Sequence, residues 1–245
     1  MKSIDLNCDV GEGIGLESEI IPLVSSVNIA CGAHAGDRSI MAGVMDLARE
    51  YGVSVGAHPG FADRENFGRR EIQLEDADLR KLLLEQLEEL SSVGHFAYVK
   101  PHGALYTMAA NDARIARVVV ATVREFDANL WLMGLAGSAG LKIAADSGVK
   151  TVAEAFADRC YDDAGRLVSR KNSNAVITST DEVVNQVLNF VREGRVDPID
   201  GPPVSMRADS ICLHGDNPKA SELARSIREA LISADVSVRS FVNPS

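Results

Sequence analysis

The sequence predicts an α/β protein in which a distorted (β/α) barrel of seven or eight mostly parallel strands takes up residues 1–245 as a single domain. Three observations point there. Short apolar runs of strand character alternate with segments whose apolar residues recur at helical spacing. Four of the five histidines, His34, His58, His102 and His214, each follow such a run directly in a short polar motif, and His95 alone lies elsewhere. The length, 245 residues with 46% hydrophobic and 24% charged, suits one barrel core, and no linker, repeat or low-complexity tract interrupts it. In a parallel α/β barrel the strand ends open on one face, so polar residues at successive strand ends meet there.

The expected strands are residues 4–7, 27–30, 53–56, 96–99, 130–133, 149–153 and 211–213, with 237–242 as an eighth. Helical spacing joins Ile40, Val44, Leu47 and Tyr51, then Leu79, Leu82, Leu83, Leu87 and Leu90, then Ile115, Val119, Val123 and Phe126. Asp37 and Asn111 are suited to cap helix starts, as are Ser179 paired with Glu182 and Asn217 before Pro218. Gly52 and Gly94 are suited to end helices in the left-handed conformation. The Arg-rich stretch 158–179 and the proline-containing stretch 198–207 read as excursions from the barrel.

A net charge of −10, a pI near 5.0 and 5% aromatic residues argue against nucleic acid as a partner. No apolar run is long enough for a membrane helix, and no signal peptide is visible, so a cytoplasmic location is expected. Cys8, Cys31, Cys160 and Cys212 form no CxxC pair and read as reduced thiols. Whether the chain forms a homo-oligomer is left open.

The chemistry gathers at the strand ends. After the first strand, Asn7, Cys8, Asp9, Val10, Gly11, Glu12 and Gly13 place two carboxylates in a turn that glycines let pass close to a ligand. Asp9 or Glu12 is suited to act as general base, and Asp9 equally to cap the next turn. His34, His58, His102 and His214 suit acid–base work, hydrogen bonding to a substrate oxygen, or metal ligation, with Asp9, His34 and His58 as the divalent-metal set. Their spacing matches no compact zinc motif. Lys100 reads as a site cation or a lysine that snorkels to the surface. Arg159 reads as a clamp for a substrate carboxylate, or as a loop brace to Asp158 or Asp162. Asn7, Glu154 and Asp216 complete the candidate substrate contacts. Gly134, Gly137 and Gly140 lack a GK[ST] tail, Ala136 spoils a GxSxG elbow around Ser138, and turning or close packing explains them best.

Taken together, LNCDVGEG, NIACGAHAGD, GAHPG with FGRR, KPHGALY, EAFADR and ICLHGD resemble the LamB/YcsF lactam-utilisation family, in order and through most of the chain. The resemblance implies a barrel related to polysaccharide deacetylases and glycoside hydrolases. It also implies a hydrolase that takes part in ATP-dependent opening of 5-oxoproline to glutamate, with Mg²⁺-ATP and partner subunits B and C. Ala33 stands where an aromatic is usual, and Thr107 where an asparagine is. The segment between Gly13 and Glu19 is short, and Ser169, Ser173 and Asn174 occupy a region usually richer in proline and glycine. Because no P-loop is visible, nucleotide chemistry is expected at least partly on a partner. Two alternatives stand beside this reading: a self-sufficient metal-dependent deacetylase or amidohydrolase, and a non-catalytic subunit that delivers the lactam.

Overall fold

In the computed structural model, which describes residues 2–214 and 219–242, the alternation takes the following form. Strand β1 (Lys2–Val10) leads through a short helix α1 (Glu17–Ile20) to β2 (Ser26–Ala30), α2 (Arg38–Tyr51) and β3 (Ser54–His58). Next come α3 (Asp76–Ser91), β4 (Tyr98–Val99), α4 (Gly103–Asn111), α5 (Ala113–Phe126), β5 (Trp131–Leu135), α6 (Ala139–Asp146) and β6 (Lys150–Phe156). The chain then runs through α7 (Thr180–Glu193), a small hairpin of β7 (Arg195–Val196) and β8 (Val204–Ser205), β9 (Ser210–Leu213), α8 (Ala220–Ser233) and β10 (Val236–Val238). Strands β1 to β6 pair in sequence order, and β9 pairs with both β6 and β1, closing a barrel of seven parallel strands.

The expected eighth strand departs from that plan. β10 is shorter than anticipated and pairs only with Lys2–Ile4 of β1, as an extra parallel strand beside the closed ring. Phe241 and Val242 fill the barrel's N-terminal end, where Phe241 meets the rings of Tyr98 and Trp131 at 5.0 and 5.7 Å between centroids. With Met133 and Val152 they make a small apolar plug. Tyr98 spans the barrel floor because Gly56 opposite has no side chain, since a Cβ there would lie 2.2 Å from the Tyr98 ring.

Alternation along β1 separates two environments. Ile4, Leu6, Cys8 and Val10 face the helical layer and join the main hydrophobic core, while Asp5, Asn7 and Asp9 line the barrel interior. Register then brings Asn7 beside Cys212 of β9 and Asp9 beside Asn28 of β2. Polar residues thus form a hydrogen-bonded column up the barrel axis. Asp5 accepts from Ser25, Ser26 and Ser210, Ser210 accepts from Asn7, and Asn7 accepts from Asn28. Burial pushes the Asp5 carboxyl up to about 6, against the lowering effect of its three serine donors.

The helix ends are mostly where chain chemistry puts them. Asp37 caps α2 by accepting from Ile40 N–H, Gly52 ends it at φ +65°, and Ser179 caps α7 by accepting from Glu182 N–H. Two expectations shift. The cap of α5 is Asp112, with Asn111 one residue earlier closing α4 by bonding Thr107 O. Gly94 lies beyond the end of α3 at Ser91 and leaves room for Met45, whose Sδ would sit 2.9 Å from a Cβ at that position. The cap expected at Asn217 lies outside the described residues.

The glycines after β5 serve packing and turning. Gly137 takes φ +76°, while Gly140 lets α6 rest on α4, with Ala109 O 1.8 Å from where its Cβ would be. Gly140→Ala therefore has to push two helices apart, and we expect it to cost about 3 kcal/mol, read as a lower denaturant midpoint with an unchanged slope. An unchanged midpoint would mean that α6 slides freely on its neighbour. Ser138 caps α6 by accepting from Leu141 N–H, and all four cysteines are unpaired.

Candidate active site

Asp9 ends the polar column and is 7% exposed at the C-terminal mouth of β1. Its Oδ1 accepts from Lys100 Nζ and Asn28 Nδ2, both at 2.8 Å, which leaves Oδ2 facing His58 Nε2 at 3.4 Å. Burial alone would raise this carboxyl. The electrostatic pull of His58 and Lys100 outweighs that and holds it well below the usual range, so Asp9 is ionised at neutral pH.

Lys100 does not snorkel. It is buried, with Nζ 2.8 Å from both Asp9 and Glu154 and 3.1 Å from Cys212 Sγ. Burial pulls its pKa down, but the carboxylates on either side keep it well above its ordinary value. Asn7 and Glu154 were expected to touch substrate, yet both are fully buried beneath the floor of the cleft and bonded to each other. They position Lys100 and Asp9 instead. Their inward register, invisible in sequence, explains the difference.

Above Asp9 the imidazoles pack together. His34 and His102 stack at 3.7 Å between centroids with 1° between planes, and His58 meets each edge-on. Glu12 Oε1 lies 3.5 Å from His34 Nε2 and 3.4 Å from His102 Nδ1. Burial, reinforced by His58, pushes His34 down to about 3 and His102 well below its ordinary value, so both rings are neutral at pH 7. Glu12, His58 and His102 offer ligand atoms within 4.8 Å of one another. Of the expected metal set, Asp9, His34 and His58, only His58 falls in this group, whose other members are Glu12 and His102.

Sequence reasoning missed the structure that holds these rings. Phe67 sits at φ +55° and accepts from His102 Nε2 at 2.8 Å through its carbonyl. Gly60 and Gly68 press backbone against the stack, since a Cβ at either position would come within 2.9 Å of His34 or His102 atoms. The FGRR motif was the available signal. Arg64 braces the loop carrying His34 through the carbonyls of Gly32 and Gly36, each at 2.6 Å.

The opposite wall comes from β6 and β9. His214 Nδ1 pairs with Asp158 Oδ1 at 2.7 Å, and the His214 ring lies on Phe156. Arg159 lines the cleft but braces the loop through the carbonyls of Ala175 and Val168, while Asp162 pairs with Arg166. The loop role of Arg159 thus uses carbonyls instead of the expected carboxylates. Asp216 lies outside the described residues. Between the walls runs a cleft of about 900 Å³ bordered by Asp9, Glu12, His58, His102 and His214, with Arg69, Arg70, Arg159, Arg170 and Lys171 on its sides. On a chain of net charge −10, this concentration of cations favours an anionic substrate. Among the described residues, no helix is long and apolar enough to cross a membrane.

Comparison with known proteins agrees with the fold and places the chain in a family. The model of the LamB/YcsF family matches residues 4–245. The A subunit of 5-oxoprolinase from Haemophilus influenzae (strain PittEE) is 48% identical over 236 residues, covering 94% of this chain and 96% of the relative. Its counterpart from Staphylococcus carnosus (strain TM300) is 44% identical over 245 residues, covering 96% and 97%. The crystal structure of a lactam utilization protein from Thermus thermophilus superposes with a TM-score of 0.91 at 41% identity, covering 98% of this chain and all of that one. A family 4 carbohydrate esterase from Streptomyces lividans shares the fold at a TM-score of 0.50 and 12% identity, covering 97% and 91%.

Proposed function

The chain belongs to the LamB/YcsF family, and on that premise we propose that it is the lactam-opening subunit of an ATP-dependent 5-oxoprolinase, converting 5-oxoproline to L-glutamate with partner subunits B and C. The observation that carries the reading is Asp9: a buried, ionised carboxylate with one oxygen anchored by Lys100 and the other facing the imidazoles of a cation-walled cleft. The names of the curated relatives and of the Thermus structure support the lactam, and the word subunit supports an assembly.

A five-membered lactam is a stable amide, so activation helps. Phosphorylation of the amide oxygen by Mg²⁺-ATP, with release of ADP, would make the ring carbon electrophilic, and partner subunits supply at least part of that step because this chain has no Walker A motif. Water then adds to the ring carbonyl carbon as Asp9 takes its proton. The C–N bond breaks and the nitrogen leaves as an amine, protonated from the far wall by His214, and a second water splits the remaining acyl phosphate into the glutamate carboxylate and inorganic phosphate. His214 Nδ1 is committed to Asp158, so this work falls to Nε2. The cationic walls hold the carboxylate of the substrate.

The test is glutamate production with each component omitted in turn. The isolated chain should open 5-oxoproline poorly, and turnover should appear, dependent on ATP, when subunits B and C are added. Full ATP-independent hydrolysis by the chain alone would favour a self-sufficient amidohydrolase. Undiminished activity without this chain would reduce it to an accessory or delivery role.

A further inference from the structure

The hydrogen bonds of His58 and His102 fix which nitrogen of each ring carries its proton. His58 Nδ1 lies 2.7 Å from Lys100 O, and His102 Nε2 lies 2.8 Å from Phe67 O. A carbonyl oxygen only accepts, so both of these nitrogens bear hydrogen. The remaining nitrogens, His58 Nε2 and His102 Nδ1, therefore present lone pairs to each other across 3.0 Å. Glu12 Oε1 stands 3.4 Å from the second and Asp9 Oδ2 3.4 Å from the first. Three acceptor atoms, from Glu12, His58 and His102, thus lie within 4.8 Å of one another, and Asp9 Oδ2 borders the group at His58. Beside them His34, 1% exposed, has neither ring nitrogen hydrogen-bonded, and its Nε2 points at Glu12.

A single extra proton would relieve the 3.0 Å nitrogen pair alone. A divalent cation would satisfy the two nitrogens and the Glu12 oxygen at once. Zinc–nitrogen and zinc–oxygen bonds of about 2.0–2.2 Å set tetrahedral ligand atoms roughly 3.4 Å apart, close to the 3.0 and 3.4 Å that separate His102 Nδ1 from His58 Nε2 and Glu12 Oε1. Backbone carbonyls that hold the far ring nitrogens are also the usual means of fixing a ligating imidazole.

We infer that Glu12, His58 and His102 bind a divalent first-row transition ion, zinc being the representative, at the C-terminal mouth of the barrel, with Asp9 beside the site and free to act as base. The mixed imidazole and carboxylate donors suit such an ion better than calcium or magnesium. His34 shields the site by stacking on His102 and does not ligate. This deepens the hydrolytic reading of the cleft, but its test does not run through lactam turnover, so either can fail without the other.

The experiment titrates Zn²⁺ into the chelator-treated full chain by calorimetry and records the visible spectrum with Co²⁺. About one equivalent should bind, with a Co²⁺ spectrum of low coordination number. His58→Gln and His102→Gln should each weaken binding more than ~100-fold, whereas His214→Gln should bind as the wild type does. Circular dichroism checks that each variant is folded. If a variant is not, the wild-type Co²⁺ spectrum decides alone: imidazole-ligated cobalt supports the site and its absence overturns it. Absence of stoichiometric Zn²⁺ binding, or binding untouched by loss of both imidazoles, would overturn the proposal in favour of a proton shared between His58 and His102.

Discussion

Asp9→Asn should lower turnover of the reconstituted enzyme by about 10³–10⁴-fold while leaving a folded protein. The amide keeps the shape of the carboxylate and can still accept from Lys100 Nζ through its oxygen, in place of the 2.8 Å bond that Asp9 makes. What it loses is the second oxygen that faces His58, the atom suited to take a proton from water. Stability should suffer far less, because Lys100 retains Glu154 as a counter-ion at 2.8 Å. Steady-state glutamate production and thermal unfolding, measured on the same preparation, separate the two effects. Near wild-type turnover would remove Asp9 from the chemistry and leave Glu12 as the candidate base. The pH profile adds a check: because Asp9 is held well below the ordinary carboxylate range, it loses its charge only under strong acid. An acid limb between about pH 5 and 7 would then belong to a histidine.

The residues that carry this chemistry were legible to different degrees. Each of the barrel strands coincides with an apolar run, displaced by a few residues, because a run needs only one buried face to be recognised. His58, His102 and His214 were legible for the same reason: they end those runs, and strand ends share one face. Period alone does not say which face of a strand looks inward. Asp5, Ser26, Asn28 and Ser210 therefore passed without notice, and Asn7 and Glu154 were assigned to substrate although they are fully buried and do not line the cleft. The eighth strand was legible at 237–242, but period could not show that it is Val236–Val238 that pairs with β1, beside the closed ring, while Phe241 packs on Tyr98. The cradle of Phe67, Gly60 and Gly68 depends on a left-handed non-glycine residue and on close backbone approach, neither of which leaves a periodic trace.

The inward polar column also makes Lys100 the most consequential side chain for stability. Lys100→Met should cost about 3–5 kcal/mol in chemical unfolding, more than a surface lysine by an order of magnitude. The reason is what remains: Asp9 and Glu154, both buried, would face each other's charge without the ammonium that lies 2.8 Å from each. Adding Glu154→Gln should recover part of the loss, since one of the stranded charges is then gone. A simple sum of the two single effects would instead show that the pair is not energetically coupled. The pH dependence follows from the shifts. A lysine whose pKa is raised on folding contributes fully below its unfolded value of 10.5, so the deficit of the variant should be flat from about pH 6 to 9. An aspartate lowered on folding contributes above its unfolded value of 3.8 and loses that contribution as the pH falls further, so the deficit should narrow in acid. A variant as stable as the wild type at pH 7 would mean that the carboxylates had taken up protons or water in place of the ammonium, and the column would then be a solvated channel instead of a buried ion cluster.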